Sequence, residues 1–463
     1  MSQRDFEELY EALDGVVEVT LLLPDIVRVL VNNKNLVVDW LKSKEFKERY
    51  ANHPYPPLLN PENIDYKQIS PELAWELNLP LPPYFNFLYL TSHGSGSTGM
   101  VSFLKKCNCS AIYCADIFDA RSVYVSVYKE ILEKASKGDE NLFLFILDYV
   151  LRGDYQKYFA LIPNKPALYL VRDPISALKS YLGMKRPAGG GAFFNLTCNP
   201  VDVIESRTAY GFVREQTKIP NVDEVPFWIN YLPLCFHDTQ LIEALINVKS
   251  DSIIYVDMQE ILGDRASETM CNLAKKFGFL APKKCDEKFF KHKVSDFGLG
   301  FPVTLYAHSS DLEKLQNGFS NDLSSCQLKG GISLTITTCY EIEQGQNDVT
   351  TAFFKEDITP IVITASAQDC QLLMQNLQLA RVCSAYLKEF VAATFVKKDK
   401  EIEKRLKEEA VLEYFKEKPF FREKFYKILQ KSLKHLQANR PDIIKTWKYY
   451  AEFLKICKKD SIC

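Results

Sequence analysis

No run in this 463-residue chain reaches the roughly 20 apolar residues that a membrane span needs. The most apolar early stretch, Val16 to Val38, is broken by Asp25, Arg28 and Lys34. The first residues, Met1-Ser2-Gln3-Arg4-Asp5-Phe6-Glu7-Glu8, lack the basic start and apolar core of a secretory signal. Cysteine is present thirteen times, an odd and scattered set, and no His near Cys107, Cys109 and Cys114 has the spacing of a zinc site. Free thiols in a reducing compartment and no metal are therefore expected. Charge of one sign is also missing: the net charge is −2, so nothing pulls the whole chain toward nucleic acid, and none is expected as a partner. There is no internal repeat and no low-complexity tract. Together these absences predict a cytoplasmic protein.

What is present suits a folded protein with a sizeable core, at 47% hydrophobic and 13% aromatic residues. The length suggests about three domains. Residues 1–80 read as a helical segment followed by a Pro-rich passage running from Pro54 to Pro83. Residues 81–300 alternate short apolar runs with helical patterns. The runs are Phe85 to Thr91, Ala111 to Cys114, Ala167 to Val171 and Ser252 to Val256. The helical patterns are Ser97 to Lys106, Ser122 to Ala135, Asn141 to Phe159, Pro174 to Leu182, Pro233 to Val248 and Ala266 to Phe277. That alternation predicts an α/β fold, a parallel sheet flanked by helices. Residues 301–395 read as an α+β accessory region with strands at Ile332 to Thr338 and Pro360 to Thr364. Residues 396–463 read as basic helices. From Lys397 onward the local charge is +8, against −10 for the remainder.

Two segments carry chemistry. In Thr91-Ser92-His93-Gly94-Ser95-Gly96-Ser97-Thr98-Gly99-Met100 a strand runs through small residues into a helix. Small residues let backbone N–H groups converge on an anion, and the helix N-terminus adds partial positive charge. Gly94 and Gly99 have the spacing of the nucleotide triphosphatase loop, but Met100 and Val101 replace its Lys and Ser/Thr, which argues against ATP hydrolysis. In Leu170-Val171-Arg172-Asp173-Pro174 a buried strand ends in Arg, and Asp-Pro opens a helix with Asp173 at the N-cap. Arg172 then sits at the sheet edge where ligands of parallel sheets bind, and Ser180 lies about two turns into the helix.

Together these segments resemble the sulfotransferase family, whose donor is 3′-phosphoadenosine 5′-phosphosulfate. The resemblance spans about residues 85 to 280 and implies a P-loop-like core. It assigns Gly94, Ser95, Gly96, Ser97 and Thr98 to the 5′-phosphosulfate loop, and Arg172 with Ser180 to the 3′-phosphate. The 78 residues between Gly94 and Arg172 are similar to the family's spacing. Ile253 to Met258 looks like the family's late strand, and Ala274 to Leu280 like the helix end that follows. The family carries Lys or Arg where this chain has Gly94, and losing that contact removes transition-state stabilisation. Lys105 and Lys106 lie too deep in the helix to substitute, whereas Arg121, or Lys185 and Arg186 before a Gly189-Gly190-Gly191 hinge, could supply the charge. Lys291 and Lys293 are candidates for the 3′-phosphate loop. His93, Asp116 and Asp119 follow strand ends and are the candidate general bases.

Asp296-Phe297-Gly298 lacks the other kinase segments and is read as chance. The glycosylation sequons at Asn108 and Asn195 carry no weight in a cytoplasmic chain. The tail from His435 to Leu454 resembles an uncharacterised bacterial family whose members carry the label of sugar transferases and occur beside surface-glycan genes. Physically, Arg440-Pro441-Asp442 ends one helix and starts another, with Trp447 and Tyr450 turned inward. The basic tail helices could also hold an anionic membrane surface, which would place the chain peripherally at the inner membrane. The expected activity is transfer of a sulfuryl group to a hydroxyl of a surface carbohydrate. The alternatives are a nucleotide-sugar-dependent glycosyltransferase, for which no Asp-x-Asp motif is found, and a non-catalytic interaction protein on the same fold.

Overall fold

The computed structural model describes residues 3–17, 24–113, 119–147, 155–187, 193–210, 217–231, 238–291, 293–294, 300–315, 331–343 and 345–459. Five parallel strands form the first sheet: β1 (Phe87–Thr91), β2 (Ser110–Tyr113), β3 (Leu142–Leu147), β4 (Ala167–Val171) and β5 (Ile253–Asp257). Their order is β2-β3-β1-β4-β5, so the chain crosses over β1 between β3 and β4. Every residue of β1 is buried, as expected of a central strand covered on both faces. Successive side chains point to opposite faces. Phe87 and Tyr89 meet α1 (Ser97–Lys106) and the later helix Arg265–Phe277 through Met100, Leu104 and Phe277. Leu88 and Leu90 face α2 (Ala120–Ser136), α3 (Tyr155–Ala160) and α4 (Pro174–Leu182).

The helix expected over Asn141 to Phe159 is corrected by this sheet. Leu142–Leu147 is instead β3, paired in parallel with both β1 and β2, and α3 begins only at Tyr155. The run Leu-Phe-Leu-Phe-Ile-Leu is apolar on every side, so it has no period to separate a buried strand from a buried helix. Burial on both faces of the sheet selects the strand. The helices predicted at Ser97 to Lys106 and Pro174 to Leu182 are present with those bounds.

A second sheet holds Ile332–Thr338 and Ile361–Ala365 in antiparallel register with Val303–Ala307 and Asn347–Asp348. Its other edge is Phe193–Asn195, which leaves the first-sheet region to pair in parallel with Val303–Ala307. Helix Leu377–Glu403, which follows Arg265–Phe277 (α5) and is α6 here, covers this sheet, with Phe194 stacked on Phe390.

The tail folds back on the first sheet. Helix α7 (Glu408–Glu417), helix Pro419–Ser432 and the later helix α8 (Lys448–Lys459) share the apolar core beneath α4. Phe415, Phe425 and Phe453 meet there with ring centroids 5.1–5.6 Å apart. Arg440 lies between helices Lys434–Asn439 and Pro441–Thr446, chelates Asp442 and donates to the Tyr255 carbonyl of β5. Trp447 and Tyr450 are buried. Among the described residues, no helix is long and apolar enough to cross a membrane.

Two half-buried histidines make the fold sensitive to acid. His53 accepts from the Tyr55 amide, and His435 bonds Tyr255 and Ser250. Burial holds the pKa of both below the ordinary 6.5. The unfolded chain then binds more protons than the folded one, so stability falls as the pH drops from 6.5 toward the folded pKa. Urea midpoints recorded at descending pH should decline in that window, and His53→Gln combined with His435→Gln should flatten the decline.

Candidate functional site

The loop between β1 and α1 turns on two glycines in the left-handed region, Gly94 at φ +73° and Gly96 at φ +93°. Gly96 is the N-cap of α1 and gives its first turn no side-chain cap. The first N–H groups of a helix have no partner within it, so this end presents uncapped donors and the positive end of the helix dipole. Among the described residues, the hydroxyls of Ser95, Ser97 and Thr98 make no hydrogen bond. Thr98 is exposed, while Ser95 and Ser97 are largely covered.

Arg172 leaves the end of β4, the strand beside β1, and reaches this loop. Its Nη1 donates to the Gly94 carbonyl at 2.5 Å and to Ser180 Oγ at 2.8 Å. Ser180 Oγ in turn donates to the Ser176 carbonyl one helical turn earlier. Nε and Nη2 of Arg172 have no hydrogen-bond partner among the described residues, which leaves them for an incoming anion. Burial pulls the Arg172 pKa down, opposed by the carboxylates of Glu408, Asp173 and Asp257. Gly94, Arg172 and Ser180 are thus brought together as one clamp.

The same contact leaves no room for a side chain at Gly94. A Cβ on Gly94 would lie 2.8 Å from the Ala177 carbonyl oxygen and 3.3 Å from Ser180 Cβ. Helix α4 is pressed against the loop where the family resemblance would place a lysine stem. Gly96 is similarly close to Met258 Cγ, at 3.0 Å for an added Cβ.

Asp173 does more than cap α4. Its Oδ1 accepts from the amides of Ile175 and Ser176, while its Oδ2 accepts from those of Tyr449 and Tyr450, each at 3.0 Å, in the first turn of α8. One carboxylate therefore ties two helix N-termini to the end of β4. Its partner at the end of β5 is Asp257, which accepts from Trp447 Nε1. Glu408 of α7 bonds Ser176 Oγ at 2.9 Å and Lys179 Nζ at 3.1 Å, on the same helix as Ser180. The second role of Asp173, and those of Asp257, Trp447 and Glu408, had no short-range signal in the sequence.

The other candidates lie elsewhere or serve locally. His93 sits in the loop, half-buried, with its ring 6.2 Å from that of Tyr181. Asp119 is the N-cap of α2 and accepts from the Ser122 amide at 2.7 Å, and its hydrogen bonds to Ser122 lower its pKa. Arg121 pairs with Glu76 at 3.1 Å. Both follow β2, which is separated from β1 by β3, about 10 Å across the sheet. Asp116 and the glycines of the Gly189-Gly190-Gly191 hinge lie outside the described residues. Lys106 pairs with Asp286, Lys291 with Asp264 and Glu287, and Lys185 with Glu401, while Lys105 rests over the Tyr113 ring. Arg172, by contrast, bonds the loop backbone at Gly94.

Residues 255–459 match the model of a family described as a protein of unknown function, DUF2972. That match begins within β5 and takes in the tail and the second sheet apart from its edge strand Phe193–Asn195, including Asp257, Glu408 and Trp447, but not the loop or Arg172. No curated protein and no solved structure matches the chain.

Proposed function

We propose that the chain is a transferase of the sulfotransferase type that binds 3′-phosphoadenosine 5′-phosphosulfate across β1 and β4 and sulfates a carbohydrate hydroxyl. The observation that carries this reading is the Arg172 clamp, which lies at the C-terminal edge of a parallel sheet beside an uncapped helix N-terminus. The amides at the start of α1, with the Ser97 and Thr98 hydroxyls, would hold the 5′-phosphate. Nε and Nη2 of Arg172, with Ser180, would hold the 3′-phosphate. The donor, when bound, supplies the sulfuryl group. The chain's own residues bind it, orient it and neutralise its charge.

Gly94 favours a second reading. With α4 against it, the loop provides no lysine for the leaving phosphate, and a protein that binds the nucleotide without turning it over fits the same geometry.

Calorimetry with 3′-phosphoadenosine 5′-phosphate, adenosine 5′-monophosphate and nucleotide sugars tests the donor assignment. Preference for the 3′-phosphorylated compound is expected. Arg172→Ala should weaken it about thirtyfold, roughly 2 kcal/mol for charge-assisted hydrogen bonds, while leaving adenosine 5′-monophosphate unchanged. Equal loss for both nucleotides, or no loss, rules out the 3′-phosphate assignment. A response to nucleotide sugars alone would move the reading to a glycosyltransferase.

A further inference from the structure

Helix Pro419–Ser432 has two unlike faces. Arg422, Phe425, Leu429 and Ser432 are its buried residues and share one side. On the opposite side stand Phe420, Lys424, Lys427 and Lys431. At 3.6 residues per turn these four fall within an arc of about 60° and run roughly 16 Å along the axis. The face turned away from the core is thus a row of lysines headed by an aromatic ring.

Phe420 is 70% exposed. Its neighbour Phe421 is half-buried against the core beneath α4 and meets the Phe420 ring edge-on, with centroids 5.2 Å apart. Pro419, at the start of the helix, fixes the backbone of the corner from which Phe420 projects. Single exposed apolar side chains are common on protein surfaces. What sets this one apart is the charge around it.

From Lys416 to Lys434 the chain holds seven Lys or Arg and two Glu. Lys424 donates to the Asn230 side chain rather than to a carboxylate. Lys427 pairs with Glu423 at 2.6 Å, but their side chains are 69% and 47% exposed, so water screens the pair. Among the described residues, exposed Lys431 makes no ion pair. An anionic bilayer complements both features at once, because its surface is negatively charged and the layer below is apolar. The helix can lie on such a surface without leaving the core, since its buried side faces the other way.

We propose that helix Pro419–Ser432 docks the chain on an anionic membrane surface, with Phe420 inserted at the headgroup boundary and Lys424, Lys427 and Lys431 over the headgroups. This inference is independent of the nucleotide site, and failure of the donor reading would leave it standing.

The full chain would be floated with vesicles of phosphatidylcholine alone and of phosphatidylcholine mixed with phosphatidylserine. Only the mixed vesicles should carry it. Lys427→Gln combined with Lys431→Gln should weaken binding about twenty-five-fold, roughly fivefold for each lysine near the surface. Phe420→Ser should weaken it about tenfold. Phe420→Trp reports insertion directly: its emission should shift to the blue on binding and be quenched by brominated acyl chains. The replaced side chains lie on the solvent face, so thermal melts should match the wild type. If the double variant melts early, Lys431→Gln alone carries the test with its fivefold loss. No flotation with the mixed vesicles, equal flotation with phosphatidylcholine alone, or binding indifferent to these variants overturns the proposal. Polyglutamate binding as tight as vesicle binding, with the new tryptophan unquenched by lipid, assigns the face to an acidic protein and overturns it as well.

Discussion

Gly94→Lys, which places a cation in the loop as the proposed sulfotransferase reading would have it, is expected to cost about 3 kcal/mol of stability and to weaken nucleotide binding rather than create activity. The left-handed backbone alone costs a non-glycine residue roughly 1–2 kcal/mol. The added Cβ then meets a backbone oxygen at 2.8 Å, which a rotamer change cannot relieve. Moving α4 away would pull Ser180 from Arg172 and undo the clamp. Thermal unfolding and calorimetry with 3′-phosphoadenosine 5′-phosphate read both effects. A stable variant that gains sulfuryl transfer would show that α4 yields easily and that the loop is an ordinary one with its lysine removed. Gly94→Ala separates the causes, since it keeps the backbone cost and the Cβ contact but adds no charge.

Asp173→Ala should be at least as damaging, at about 3 kcal/mol. Losing an N-cap typically costs roughly 1 kcal/mol, and here two helices lose theirs at once. The amides left behind at the start of α8 are partly buried, which adds a desolvation penalty of about 1 kcal/mol or more. Asp173→Asn should fall between wild type and alanine. Its single carbonyl oxygen can cap one helix, while its NH₂ group faces the other helix's donors. Urea denaturation would measure the order, and tryptophan fluorescence from Trp447 would report whether α8 detaches. A loss no larger than one cap would mean that α8 is held by its apolar face alone.

These two residues mark where the sequence was legible and where it was not. The loop, α1, β4 and α4 could be read because each depends on neighbours within a few residues: small residues before a helix, an apolar run, Asp-Pro at a helix start. β3 could not, because a strand buried on both faces has the same composition as a buried helix, and only its partners β1 and β2 decide. Gly94 was legible as a turn glycine but not as a contact, since the oxygen that forbids a side chain comes from Ala177. The first cap made by Asp173 followed from Pro174 beside it. The second joins residues 276 positions apart, and no local pattern announces it.

The reach of Asp173 also has a consequence for biosynthesis. The ribosome releases this carboxylate 276 residues before Tyr449, a delay of roughly 15–55 s at about 5–20 residues per second. During that interval β4 can pair with β1 and then β5, yet the apolar face that later receives α7 and α8 stays open to solvent. Nascent chains of this protein should therefore depend on chaperones for much of their synthesis. Products of premature termination before Trp447 should be recognised and degraded rather than persist as partial domains.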